Sequence, residues 1–233
     1  MKFFRNFLIA LALAAAFALP CRAQEVFHAA YLHGFPDGTI RPEQAVTRAE
    51  LAEILYRMLP PDTRVQTGDS ESAFQDVPPS HWAYSAISAM ARLRLMLGGP
   101  DGKFRPDDGV TGQELSIILE RIRSSDAGKE ALPELSKSWQ AERITFADGN
   151  GWVMGLHDGI FSKGRSFTRA ELAQLLNRLL GRTPADLSDL LIGMPLFSDN
   201  LDTSTPYFFA MQEAAIDHTA SCAGAHESWT GLG

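Results

Sequence analysis

Three stretches of this chain carry the same punctuation at the same separation. Gly34-Phe-Pro-Asp37-Gly38 leads to Val46-Thr47-Arg48-Ala49-Glu50, and Gly98-Gly-Pro-Asp101-Gly102 leads to Val110-Thr111-Gly112-Gln113-Glu114. Gly155-Leu-His-Asp158-Gly159 leads to Phe167-Thr168-Arg169-Ala170-Glu171. The opening Gly stands 13 residues before the Thr each time, with no gap. Self-similarity in fixed register marks stacked supersecondary units that bury their apolar faces against one another.

Apolar residues after each Thr follow a helical stripe. They are Leu51, Ile54, Leu55, Met58 and Leu59, then Leu115, Ile118, Leu119 and Ile122, then Leu172, Leu175, Leu176, Leu179 and Leu180. Thr followed by Glu three residues on is a capping box, so the spacing predicts helices over 48–59, 112–123 and 169–180. The preceding Asp-Gly marks a tight turn in which Gly supplies a positive φ. A leading helix is expected before each turn. In the second unit it carries Trp82, Ala83, Ala86, Ile87 and Met90. In the third it carries Trp139 and Ile144 and is expected to be short or broken by Asp148-Gly149-Asn150-Gly151. In the first, a helical stub of Val26, Phe27, Ala30 and Tyr31 is all that precedes the loop.

Polar linkers place the units at 25–60, 74–124 and 131–181. Residues 196–233 form a tail or the start of a fourth unit, because Phe197-Ser-Asp199 repeats the pattern of Phe74-Gln-Asp76 and 207–218 has the composition of a leading helix.

Residues 1–23 read as an export signal. Lys2 and Arg5 precede the apolar run 8–19, Pro20 breaks it, and Ala23 ends a small-residue processing site. The run is shorter than the roughly 20 residues of a membrane span. A lipid-bearing Cys21 is the second reading, disfavoured by Pro20 before it. Cleavage after Ala23 removes Lys2, Arg5 and Arg22 and no acid, which takes the net charge from −7 to −10. So acidic a chain does not suit nucleic acid or an anionic membrane as its main partner. Cys222 then remains as a single thiol, unable to form an internal disulfide. No other stretch is apolar enough to span a membrane.

Phe74-Gln-Asp76-Val77, Trp82, the Pro-Asp-Gly loops and Thr-Arg-Ala-Glu at 47–50 and 168–171 together resemble S-layer homology repeats. The resemblance covers about residues 25–181. It implies an all-α fold, with three helix-loop-helix repeats in a pseudo-threefold bundle whose capped helices line the centre. It also implies a non-catalytic protein of the bacterial cell wall or S-layer. In that family, grooves between repeats bind secondary cell-wall polysaccharide, typically through pyruvylated N-acetylmannosamine. The implied contacts are Arg48 and Arg169 at the helix starts and the loop pairs Asp37-Gly38, Asp101-Gly102 and Asp158-Gly159. Trp82 joins them as a sugar platform, although Trp82 and Trp139 read first as core anchors. The chain departs from the pattern in three places. The first unit lacks the leading Trp and Phe-x-Asp, the second has Gly112-Gln113 for Arg-Ala, and the third lacks Phe-x-Asp and has Ser162-Lys163 for Arg-Pro.

The Thr and Glu of each box are explained by capping alone. Arg is not, since a cation at a helix N-terminus is slightly unfavourable. Its guanidinium suits either a ligand carboxylate or an ion pair between repeats. Calcium is rejected, because loops aligned on Asp37-Gly38 and Asp101-Gly102 place His33, Phe35, Leu97 and Gly99 where oxygen ligands belong. His28, His33, His81, His157, His218 and His226 show no zincin spacing, and no nucleophile elbow or phosphate loop occurs. No metal, cofactor or catalytic residue is expected. The competing reading is a degenerate repeat bundle that scaffolds protein partners or surface assembly. Mass spectrometry of the exported protein should find Gln24 at its N-terminus; a lipid-bearing Cys21 there would overturn the soluble-export reading.

Overall fold

The computed structural model describes residues 25–68, 74–136, 146–147, 152–153, 165–182, 184–223 and 226–233. Strand β1 (Glu25–His28) precedes helices α1 (Arg48–Arg57) and α2 (Pro61–Gly68). Helices α3 (Tyr84–Arg92), α4 (Gly112–Ser124) and α5 (Asp126–Ala131) follow, then the short strands β2 (Phe146–Ala147) and β3 (Trp152–Val153). Helix α6 (Arg169–Leu180) and a 3-10 turn at Leu187–Asp189 lead to α7 (Phe208–Ala215), β4 (His218–Ala223) and β5 (His226–Leu232).

The three threonines do what their spacing predicts. Thr47, Thr111 and Thr168 each accept the N–H of the Glu three residues on, and Glu50, Glu114 and Glu171 return the bond to the Thr N–H. Pro60-Pro61 stops α1 and starts α2, while Gly181 ends α6 at φ 69°. Just before the caps, three segments of the chain form a closed cycle. Val46 N–H donates to the Phe167 carbonyl at 2.8 Å, Phe167 to Val110 at 2.9 Å, and Val110 back to Val46 at 2.9 Å. The stripes of α1, α4 and α6 converge below this ring, where Leu51, Leu55, Leu115, Leu119, Leu172, Leu175 and Leu176 share one buried core.

Residues 196–233 complete the first unit. In the second unit the Asp76 carboxylate accepts the N–H groups of Phe104 and Arg105 at 2.8 and 2.7 Å. Asp199 does the same for Ile40 and Arg41, at 2.8 and 2.7 Å. Those bonds hold Arg41 and Arg105 at φ 52° and 60°, a region non-glycine residues seldom occupy. Phe74 packs over Gly98 and Phe197 over Gly34 so closely that a Cβ at either glycine would sit 2.5 or 2.6 Å from the ring. Leu95 and Met96 donate to the Met90 carbonyl in α3, whereas Tyr31 and Leu32 donate to the Ala214 carbonyl in α7. The first loop thus takes its Phe-x-Asp and its leading helix from a segment more than 150 residues away.

The all-α expectation is corrected. Strands β1, β4 and β5 form an antiparallel sheet in that order. Glu25 pairs with Ser221 and His28 with His218, while Ala223 pairs with His226 and the register shifts between Thr219 and Ala220. Helix α7 already fills the leading-helix position, so the expected stub around Val26 and Phe27 has no groove to pack in. Its backbone is satisfied by β4 instead, and Val26, Thr219, Trp229 and Thr230 suit strands. On either side of Asp148-Gly149-Asn150-Gly151, where the leading helix of the third unit was expected to be interrupted, β2 pairs with β3, Phe146 opposite Val153. Trp139, Ile144 and the Asp158-Gly159 loop lie outside the described residues.

Two substitutions test this architecture by urea denaturation. Leu119→Ala should cost roughly 2–5 kcal/mol, because its side chain is buried at the centre of one stripe. Asp199→Ala should cost about 3–6 kcal/mol and match Asp76→Ala, since each removes two charge-assisted bonds to backbone donors.

Candidate functional site

The helix-start arginines sit at the junctions between units. Arg48 reaches from the first unit into the second. Its Nε donates to the Phe104 carbonyl at 2.8 Å, its Nη1 to Glu114 Oε1 at 2.7 Å and its Nη2 to the Leu97 carbonyl at 2.9 Å. Arg169 reaches from the third unit into the first through the equivalent acceptors, Ile40, Glu50 and His33, at 2.8, 3.3 and 2.5 Å. Their side chains are 11% and 4% exposed. Burial disfavours the Arg169 charge and Glu50 opposes that effect; the net shift is downward. Three of the five guanidinium N–H groups are engaged in each clamp, which leaves two. The unfavourable cation at N1 is therefore offset by acceptors on the next unit. At the third junction Gly112 has no side chain to offer, and Arg165 pairs instead with Glu171 at 2.7 and 3.2 Å.

The loop aspartates serve their own turns. Asp37 accepts from Thr39 N–H, Thr39 Oγ1 and Arg41 Nη2, and these bonds hold its carboxyl down to about 2. Asp101 pairs with Arg105 Nη2 at 2.8 Å. Gly38 and Gly102 stand at φ 80° and 73°, as the turn requires.

A cleft of roughly 410 Å³ opens on the first unit, where Arg169 of the third unit and Trp82 of the second approach it. Arg169, Glu50 and Phe35 line it, together with Glu53, Arg57 and His33, and Trp82 contributes from the second unit. Arg57 Nε donates to Glu53 at 2.7 Å and its Nη1 contacts His33 Nε2. Burial and the neighbouring Arg57 push the His33 pKa down, so the neutral ring serves as the acceptor. Trp82 does not anchor the core. It is 62% exposed and stacks on His81 at 5.8 Å between ring centroids. The structure thus brings Arg169 and Trp82 to one cleft and places Arg48, with Phe104 beneath its guanidinium at 4.5 Å, at the next junction.

Residues 27–52 and 73–116 match the S-layer homology domain family. Over 205 residues the chain is 31% identical to "Cell surface glycoprotein 1" of Acetivibrio thermocellus, covering 82% of this chain and 9% of that one. Over 164 residues it is 34% identical to the "Cellulosome-anchoring protein" of the same organism, covering 67% and 37%. An "Amylopullulanase" of Thermoanaerobacterium thermosulfurigenes is 28% identical over 163 residues, covering 65% and 8%. The chain therefore spans far less than two thirds of these relatives' lengths. The two S-layer homology segments contain the first two loops and caps; α6 lies outside them and joins through the backbone ring and Arg169. No helix among the described residues is long and apolar enough to cross a membrane.

A second constellation lies mostly outside the matched segments. His28, Glu213, His218 and Glu227 meet between the sheet and α7, with the side chains of Glu213, His218 and Glu227 fully buried. His218 Nε2 lies 3.1 Å from Glu213 Oε2 and 3.2 Å from Glu227 Oε1. His28 Nδ1 lies 3.0 Å from Glu227 Oε1 and 3.4 Å from Glu213 Oε1. Burial opposes charge on His28, His218 and Glu213. The mutual hydrogen bonds outweigh it, raising both histidines and lowering Glu213. Sequence spacing gave no sign of this group, because its members come from both ends of the described chain.

The clamps are open to test by chemical denaturation. Arg169→Ala should lose roughly 3–5 kcal/mol, the cost of breaking a buried pair and stranding its acceptors. Arg48→Ala should lose less, because Glu114 is 36% exposed and can turn to solvent.

Proposed function

We propose that this chain is a non-catalytic anchoring segment that holds its polypeptide at the bacterial cell surface. It does so by binding secondary cell-wall polysaccharide in the clefts between its units. The observation that carries this reading is the first cleft, which combines an exposed Trp82, the Arg57 cation and the two remaining N–H groups of Arg169. An indole face takes a sugar ring, and guanidinium groups take a carboxylate such as a pyruvyl substituent. The names of the two Acetivibrio relatives agree with a surface location.

Arg48, clamped in the same way between the first and second units, takes the Arg169 role at its own junction. In this scheme the arginines have two duties, shaping the cleft and meeting the ligand, so their loss affects stability and binding together. Trp82 and Arg57 separate these effects, because neither holds two units together through the clamp bonds.

Co-sedimentation with purified walls, native or stripped of polysaccharide, tests the proposal. Trp82→Ala and Arg57→Ala should each weaken binding to native walls about tenfold, in line with the loss of one charge-assisted bond or one stacking contact. Circular dichroism should remain unchanged. Equal binding by the variants, or undiminished binding to stripped walls, would reject polysaccharide as the ligand and favour a scaffold for protein partners.

A further inference from the structure

We propose that His28, Glu213, His218 and Glu227 form a binding site for one divalent transition-metal ion of the zinc type, which ties β1, β4, β5 and α7 together. The four candidate ligand atoms lie within 4.8 Å of one another. Zinc binds imidazole nitrogen and carboxylate oxygen at about 2.0–2.2 Å. The edge of a tetrahedron of that radius is about 3.3–3.6 Å. The nitrogen–oxygen separations, taken over Glu227 Oε1 and both oxygens of Glu213, run from 3.0 to 3.4 Å and approach this edge, so small side-chain rotations would bring one donor atom from each residue onto a single ion.

Two further observations point to a cation. Glu213 Oε1 and Glu227 Oε2 are buried and accept no hydrogen bond among the described residues. Glu213 Oε1 faces His28 Nδ1. A buried carboxylate oxygen without a donor is costly, and a metal ion would satisfy it. The surroundings also orient the ligands as outer partners do in metal sites. The Ile216 carbonyl lies 2.8 Å from His218 Nδ1, which places a proton there and turns Nε2 toward the carboxylates, where it would ligate an ion on giving up its own proton. Trp229 Nε1 donates to Glu213 Oε2 at 2.8 Å, and the indole stacks on the His218 ring at 4.0 Å. Two carboxylates facing two neutral imidazoles carry a charge of −2, which one divalent ion balances. Two imidazole nitrogens with two carboxylates suit zinc better than calcium or magnesium, which prefer all-oxygen sets.

The site differs from the clefts in location and chemistry, so its test is independent of wall binding. The purified chain is stripped with chelator, checked for folding and titrated with zinc and with cobalt. The expected result is one equivalent of metal bound per chain, a Tm rise of about 5 °C or more, and the intense visible absorption of tetrahedral cobalt. His28→Gln and Glu227→Gln should each weaken uptake at least tenfold and abolish the cobalt band. Metal uptake unchanged in both variants would place the ion on other side chains and overturn the proposal. So would a folded wild-type chain that gains neither the cobalt band nor thermal stability, which would leave two protons as the counter-charge. Should a variant fail to fold, the wild-type stoichiometry and cobalt spectrum decide the question alone.

Discussion

The fold depends on the way each helix start is held by another unit. A helix leaves its first N–H groups without intrahelical partners. Here the capping box satisfies some of them, and neighbouring loops satisfy others. Arg48 N–H and Ala49 N–H donate to the carbonyls of Asp108 and Pro106, and Arg169 N–H and Ala170 N–H donate to those of Gln44 and Pro42. With the three-bond ring of Val46, Phe167 and Val110, every unit is both donor and acceptor. An isolated helix of 10 to 13 residues is marginal in water, so these units gain stability from their mutual contacts.

The same geometry makes the clefts. A guanidinium that crosses from one unit to the next must lie where the two surfaces diverge, so the Arg169 clamp lines the first cleft from its buried side. Exposed residues at the mouth, Trp82 above all, are free of that duty. Gly112 marks the junction where the pattern lapses: Glu171 is paired within its own unit by Arg165, so no clamp joins the second unit to the third by this route.

Much of this was legible in the sequence because it is local. A Thr with Glu three residues on specifies its own cap, and a leucine stripe specifies its own buried face. Helices expected at 48–59, 112–123 and 169–180 begin where they were placed and end within two residues of the expected stop. Phe197-Ser-Asp199 was also legible as a pattern, but its destination was not, since nothing in a linear repeat says which loop a distant Asp will reach. The sheet was missed for a related reason. Val26-Phe27 and 218–232 have no strong alternation, and their pairing depends on α7 occupying the place the stub would have taken. The arginines could be read as carboxylate or ion-pair binders, and the structure assigns them acceptors on neighbouring units. Trp82 was misread as a core residue because indole usually buries; here the leading helix starts after it and turns it outward.

Closing the first unit from so far away has a modest energetic cost. The Asp76–Phe104 bond spans 28 residues and the Asp199–Ile40 bond spans 159. Loop-closure entropy grows as about (3/2)RT ln n, so the longer closure costs only about 1.5 kcal/mol more. Two charge-assisted backbone bonds at Asp199, each worth roughly 1.5–3 kcal/mol, outweigh that difference before the packing of Phe197 and α7 is counted. The sheet draws on the same closure. Once α7 is seated, Asp217 lies beside Ala30, whose N–H it accepts at 2.6 Å. Strand β4 then emerges alongside residues 25–28, and the His28–Glu213–His218–Glu227 group assembles where the sheet meets the helix. A site built from such distant residues can exist only after the ring has closed, so any ion held there would reinforce the closed ring without being needed to form it.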